Sequence, residues 1–248
     1  LFINLIIFSN MNQAVIEISK LSKSFQNKEV LREINLNIYE SESLAIIGGS
    51  GCGKSVLTKC INGLLDYDEG EIKFNGEVLD KNLNFKKKIE HTSKFGVLFQ
   101  NAALFDSLTV KENILFQNRD KKNLMKVSKN VGLNNSILNL YPSDLSVGVQ
   151  KRIGLARAIY SIPSFLILDE PTTGLDPLMS DQINKLIRRL VLQNKLTTIT
   201  ITHDMNSVYE FADKVAFIDE GKIFWYGTVN EINKNGNKRL HNFIEGNL

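Results

Sequence analysis

Gly48-Gly49-Ser50-Gly51-Cys52-Gly53-Lys54-Ser55 is the most informative stretch of this 248-residue chain. The apolar run Leu44-Ala45-Ile46-Ile47 precedes it and Val56-Leu57-Thr58-Lys59-Cys60-Ile61 follows, so it reads as a glycine-rich turn between a buried strand and a helix. Such a turn is a phosphate cradle. Small residues let backbone N–H groups converge on phosphate oxygens, and the new helix adds its positive N-terminal end. Residues Gly48, Gly49, Ser50, Gly51, Cys52, Gly53, Lys54, Ser55 and Val56 are therefore the expected binding set. Lys54 is a point charge for the β- and γ-phosphates, and the Ser55 hydroxyl a ligand for Mg²⁺.

Upstream, Ala14-Val15-Ile16-Glu17-Ile18 alternates as a strand does, residues 21–25 lead into a loop, and a second strand pair is expected around residues 31–38. These short strands form a β-layer ahead of the cradle. Downstream, residues 71–76 read as a hairpin arm and residues 95–99 as another buried strand. From Leu104 to Tyr160 the pattern turns mostly helical and more polar, which suggests an inserted helical subdomain. The apolar strand Phe165-Leu166-Ile167-Leu168 then ends in Asp169-Glu170. A helix over 180–193, a strand over 197–202, a short helix near 206–212 and a hairpin turning at Glu220-Gly221 complete the core. Alternating strands and helices imply an α/β fold with a mainly parallel sheet. The Gly- and Asn-rich tail from Gly227 to Leu248 reads as an extension outside that core, with Leu240, Phe243 and Ile244 at helical spacing.

Composition narrows the function classes. A hydrophobic content of 43% is ample for a core, and a formal net charge of +3, with lysines spread among acids, gives no reason to expect nucleic acid as a partner. The densest basic run, Lys86-Lys87-Lys88, reads as a solvated face. Cys52 and Cys60 have no metal-type spacing, so free thiols in a reducing compartment fit best. Residues 1–8 are apolar but too short to span a bilayer and lack the basic start of a signal peptide. The first methionine is Met11, and residues 1–13 are expected to be a non-structural N-terminal extension.

The cradle, the Asp169-Glu170 strand end and a later strand ending in His203 supply the parts of a nucleoside triphosphatase. Asp169 would belong to the Mg²⁺ shell, as a Walker-B acid does. Glu170, one residue on, is free to take a proton from the water attacking the γ-phosphate, a role worth on the order of 10²–10⁴ in rate. His203 is expected to bond the γ-phosphate or Glu170, and Gln100, at the end of the 95–99 strand, to meet Mg²⁺ or the attacking water. An isolated glutamine or histidine would mean little; their positions at strand ends give them weight.

Phe25, residues 48–55, Gln100, Leu145-Ser146-Val147-Gly148, residues 165–170, Gly174-Leu175-Asp176-Pro177 and His203, in this order, resemble the ATPase subunit of an ABC transporter over roughly residues 14–228. The resemblance implies a P-loop, RecA-like α/β core with an antiparallel β-layer and a helical subdomain over about residues 101–161, leaving 229–248 as a C-terminal extension. It implies ATP and Mg²⁺ as ligands, with Phe25 stacked on adenine. It also implies that Ser146 and Gly148, at the start of a helix running to Tyr160, bind the γ-phosphate of ATP held by a second copy of the chain. Asp176 would couple the two sites. Ser146 suits that place independently, being a good N-cap at a helix end that attracts anions.

This chain departs from the family's Leu-Ser-Gly-Gly pattern at Val147, whose β-branched bulk sits where backbone should approach the opposing nucleotide. Slow activation in trans is the expected consequence. Residues 99–113, 170–177 and 242–246 are similar to the ATPases of MCE-associated, Mla-type phospholipid transporters. In the family the segment after Gln100 lies by the groove that receives a membrane permease, on the inner face of the inner membrane. Leu104, Phe105 and Leu108 are then either contacts for that partner or plain core residues. Other importers, of ribonucleotides or amino acids, and a non-transport ABC ATPase on an assembly scaffold remain alternatives; a P-loop kinase would leave Ser146, Gly148 and His203 without work. Cys52, near Lys54 and a helix N-terminus, is either a thiol of lowered pKa, open to alkylation, or an inert filler.

Overall fold

The computed structural model describes residues 14–26, 28–79, 84–234 and 236–246. The expected N-terminal extension, residues 1–13, lies outside these. Strands β1 (Ala14–Phe25) and β2 (Lys28–Tyr39) pair antiparallel. β1 runs through residues 21–25, where the sequence suggests a loop. The register shifts between Ile18 and Leu21, with Lys20 at φ 49°, so a bulge absorbs the irregularity and the ladder resumes.

Next come β3 (Ser43–Ile47) and helix α1 (Lys54–Ile61), then β4 (Glu69–Phe74), which turns through Asn75-Gly76 into the short β5 (Glu77–Val78). Helix α2 (Phe85–Thr92) leads to β6 (Phe95–Leu98). Between β6 and β7 the described residues hold no strand, only α3 (Val110–Ile114), α4 (Leu124–Asn130), two short 3-10 turns and α5 (Val147–Tyr160). The chain closes with β7 (Phe165–Asp169), α6 (Pro177–Asn194), β8 (Thr197–Ile201), α7 (Met205–Phe211), the hairpin β9 (Lys214–Asp219) and β10 (Lys222–Thr228), and α8 (Lys238–Ile244).

Two sheets result among the described residues. One is antiparallel, in the order β2-β1-β4-β5; the other runs β10-β9-β3-β8-β7-β6 and is parallel except for the β9–β10 hairpin. All five residues of β3 are buried, as a central strand covered on both faces requires. Its side chains alternate between two cores. Leu44 and Ile46 join the β-layer's Ile16, Ile38 and Ile72, whereas Ala45 and Ile47 join Phe217, Ile232 and Leu240. On β7, Ile167 faces the β-layer and Leu166 and Leu168 face Ile153, Ala156 and Leu186 of α5 and α6.

The tail corrects one expectation. Residues 229–234 and 236–246 do not stand outside the core: Ile232 and Leu240 are fully buried against β3 and β9, and Phe243 packs on Phe217 with ring centroids 5.3 Å apart. Helix α6 starts at Pro177 rather than near residue 180, because Asp176 caps it through Met179 N–H at 2.9 Å and proline suits a first helical position.

Candidate functional site

Because β3, β8, β7 and β6 are parallel neighbours, the loops leaving their C-terminal ends gather at one edge, where open α/β sheets hold ligands. A cavity of about 550 Å³ lies there, lined by Gly48, Gly49, Ser50, Gly51, Lys54, Ser55, Gln100, Asp169, Glu170, Ile201, His203 and Phe243. Gly48 has no substitute: at φ 151° a Cβ would stand 2.0 Å from the Ile218 carbonyl oxygen. Gly53, at φ 110°, begins α1, and no side chain caps that helix. The Lys54 ammonium is folded onto the cradle itself, donating to Gly48 O and Gly49 O at 2.8 Å each.

The surroundings of Cys52 bear on its two readings, reactive thiolate and inert filler. Burial pushes its thiol above the ordinary range, outweighing the Lys54 ammonium 3.9 Å from Sγ. That direction favours the inert filler over the reactive thiolate. Cys60, fully buried, is pushed up to about 12 by the same desolvation, and both cysteines are free thiols.

The acidic pair at the end of β7 divides by environment. Burial, then the neighbouring Glu170, raises the Asp169 carboxyl above its ordinary range, against the pull of Lys59, Lys54 and Lys151. Glu170 leaves the strand at φ 48° with its N–H on Ile201 O at 2.9 Å. Its Oε1 lies 2.8 Å from His203 Nδ1, and its Oε2 accepts from Thr173 Oγ1 at 3.1 Å. A carboxylate so oriented can hold or accept a proton at the cavity wall. Ser55 hydroxyl, Gln100 amide oxygen and Asp169 carboxylate form a hard-oxygen donor set facing one cavity, which fits Mg²⁺, and a cation there would relieve the desolvated Asp169.

The expected residues do not all meet. Phe25 stays 44% exposed at the end of β1, outside the cavity lining, with Lys23 Nζ 5.5 Å from its ring centroid. Cys52, Gly53 and Val56 are also not among the residues that line it. Ser146 is the N-cap of α5, as expected, but its hydroxyl does not cap the helix; it and Val147 are exposed, and neither they nor Gly148 line this cavity.

Two residues escaped the sequence reading. Thr173 orients Glu170, and Lys151, only 2% exposed, donates to Gln100 O and to Glu170 O at 3.2 Å. A lysine three positions from Gly154 and six from Arg157, among the apolar residues Ile153, Leu155, Ala156 and Ala158 of the same helix, was the available signal.

An apolar groove of about 410 Å³ lies between the β6 edge and the helical segment, lined by Leu64, Phe95, Val97, Phe99, Ala103, Phe105, Phe116 and Arg157 among others. Phe105 stacks on Phe116 at 4.3 Å, and both are about half exposed. Leu104 packs instead into the core around α5, and Leu108 is outside the groove lining. Among the described residues no helix is long and apolar enough to cross a membrane.

Residues 31–173 match the profile of the "ABC transporter" family. The chain is similar to the methionine import ATP-binding protein MetN of Clostridium tetani, 36% identical over 242 residues, covering 93% of this chain and 74% of that one. It is 34% identical over 246 residues to the intermembrane phospholipid transport system ATP-binding protein MlaF of Haemophilus influenzae, covering 95% and 92%. The dimeric ATP-binding cassette MJ0796, solved with ADP and Pi, superposes with a TM-score of 0.78 at 26% identity, covering 86% of this chain and 98% of that one.

Proposed function

Since the chain belongs to the ABC transporter ATPase family, we propose that it hydrolyses ATP between two copies of itself to drive a membrane permease, with phospholipid as the cargo. One observation carries the catalytic part: a single cavity gathers the cradle, Gln100, Asp169, Glu170 and His203, with Glu170 and His203 in contact at 2.8 Å.

Residues 48–55 hold the phosphates by backbone N–H groups. The Lys54 ammonium exchanges the Gly48 and Gly49 carbonyls for β- and γ-phosphate oxygens, so the cation is stored at its point of use. Ser55, Asp169 and Gln100 hold Mg²⁺, which when bound neutralises charge building on the phosphoryl oxygens. Glu170 accepts the proton of the attacking water, and His203 and Thr173 fix its carboxylate in place. Phe25, already exposed, is free to stack on adenine. Ser146 and Gly148, exposed or half-buried at the start of α5, reach the γ-phosphate of the second copy. The relative solved as a dimer with ADP and Pi supports that pairing.

The permease docks in the groove of Phe99, Phe105 and Phe116, which holds the ATPase against the inner face of the inner membrane. Apolar side chains left half exposed around a concave lining favour a protein partner there. The 34% identity to a phospholipid transport ATPase favours lipid as cargo, and the 36% identity to a methionine importer favours a second reading, amino-acid import.

The test is transport by the ATPase purified with its permease from native membranes and reconstituted in vesicles. ATP-dependent movement of labelled phospholipid supports the first reading. Movement of methionine, with phospholipid left in place, supports the second.

A further inference from the structure

We propose that Lys151 is a positioning residue for hydrolysis: its buried ammonium, donating to the main-chain carbonyls of Gln100 and Glu170, ties α5 to both loops of the site and holds Glu170 in the conformation that sets its carboxylate beside His203. The inference rests on the reading of Glu170 as the proton acceptor.

A lysine ordinarily keeps its ammonium in water or against a carboxylate, yet Lys151 is 2% exposed and spends its hydrogen bonds on two carbonyls from different loops. Glu170 is a residue with a Cβ at φ 48°, a left-handed conformation that persists only where surroundings enforce it. Its N–H is fixed by Ile201 O and its carbonyl by Lys151, so the peptide groups on both sides of Glu170 are pinned.

The same face of α5 grips the other loop twice more. At Gly154 a Cβ would stand 2.8 Å from Leu98 Cδ1 and 3.2 Å from Ala102 Cβ, so helix and loop touch. Arg157, 7% exposed, donates to Ala103 O at 2.7 Å and Ala102 O at 2.6 Å, and Ala102 and Ala103 are themselves left-handed at φ 58° and 45°. Residues 151, 154 and 157 fall on one side of the helix by their spacing. Arg157 and Ala103 also line the apolar groove. One rigid strip of α5 thus runs from the groove to Glu170, with Lys151 at its catalytic end.

The experiment compares ATP turnover of Lys151→Met, Lys151→Arg, Glu170→Gln and Lys151→Met/Glu170→Gln with the wild type, with thermal melts of each. Lys151→Met is expected to lose about tenfold or more in kcat with KM within about twofold, because a carboxylate displaced by a fraction of an ångström binds substrate but reacts poorly. Lys151→Arg is expected to recover most of that loss. In the Glu170→Gln background the Lys151→Met change is expected to cost nothing further, since the two residues act as a unit. Lys151→Gln is carried in parallel and read the same way if Lys151→Met folds poorly. Wild-type turnover by Lys151→Met, or by Lys151→Gln in its place, while Glu170→Gln stalls would overturn the positioning role alone, as would an equal loss in both backgrounds. Wild-type turnover by Glu170→Gln would remove the reading beneath it.

Discussion

Asp169 is a carboxylate that the fold itself leaves short of compensation. Burial and the adjacent Glu170 raise its pKa, so the native state takes up a proton more readily than the unfolded chain does. Native stability from this group is therefore present at low pH and lost as pH rises through the raised value. Asp169→Asn removes the cost. Without nucleotide, the variant is expected to melt about 2 °C above wild type at pH well above the raised value, the gap closing as pH falls through it toward the carboxyl's ordinary range, while hydrolysis is lost. Calorimetry across that range checks the sign; a gap that widens on acidification contradicts it. At this scale the sequence was informative about which residues meet, since Gly48, Lys54, Asp169, Glu170 and His203 all line one cavity. It left the answer open where that depends on burial. The helix start and Lys54 near Cys52 were visible in the string, but the desolvation that raises the thiol was not. Lys151 was hidden for the same reason, because a buried cation and an exposed one are written with the same letter.

Helix α5 carries the chain's clearest departure from its family pattern. Val147 is its first residue, half exposed beside Ser146, whose hydroxyl is left free of the helix. Its β-branched side chain is half exposed, and in the proposed two-copy site it would stand where the second copy's nucleotide arrives. Val147→Gly is expected to raise kcat by about threefold or more in the dimer, with Tm lowered only slightly, since exposed first-turn positions tolerate glycine. Steady-state turnover at saturating ATP reads this directly, and an unchanged or lower rate contradicts it. Element types were legible because the 2-residue and 3.6-residue periods of apolar residues are local properties. Element ends were less so. β1 continues past its bulge at Lys20 because β2 and β4 supply ladder partners, and α8 joins the core because Ala45, Ile47 and Phe217 present a face for Leu240 and Phe243. Both depend on partners distant in sequence.

Across the whole molecule, the parallel sheet brings four loop ends to one edge, and the helical segment offers α5's start on one side and the Phe105–Phe116 groove on another. α5 spans the distance between them. This arrangement suits an engine in which ATP joins two copies and a partner in the groove senses the joining. Neither partner is encoded in a single chain's contacts, so the composite site rests on the family resemblance and remains the account's proposal. Its most direct test is light scattering of Glu170→Gln with and without MgATP, alongside hydrolysis by the wild type. The account predicts a wild type that turns over, and a variant slowed by roughly 10²–10⁴ that is monomeric alone and held as a dimer by ATP. A variant that hydrolyses at the wild-type rate, or one that stalls yet stays monomeric at saturating ATP, would contradict it.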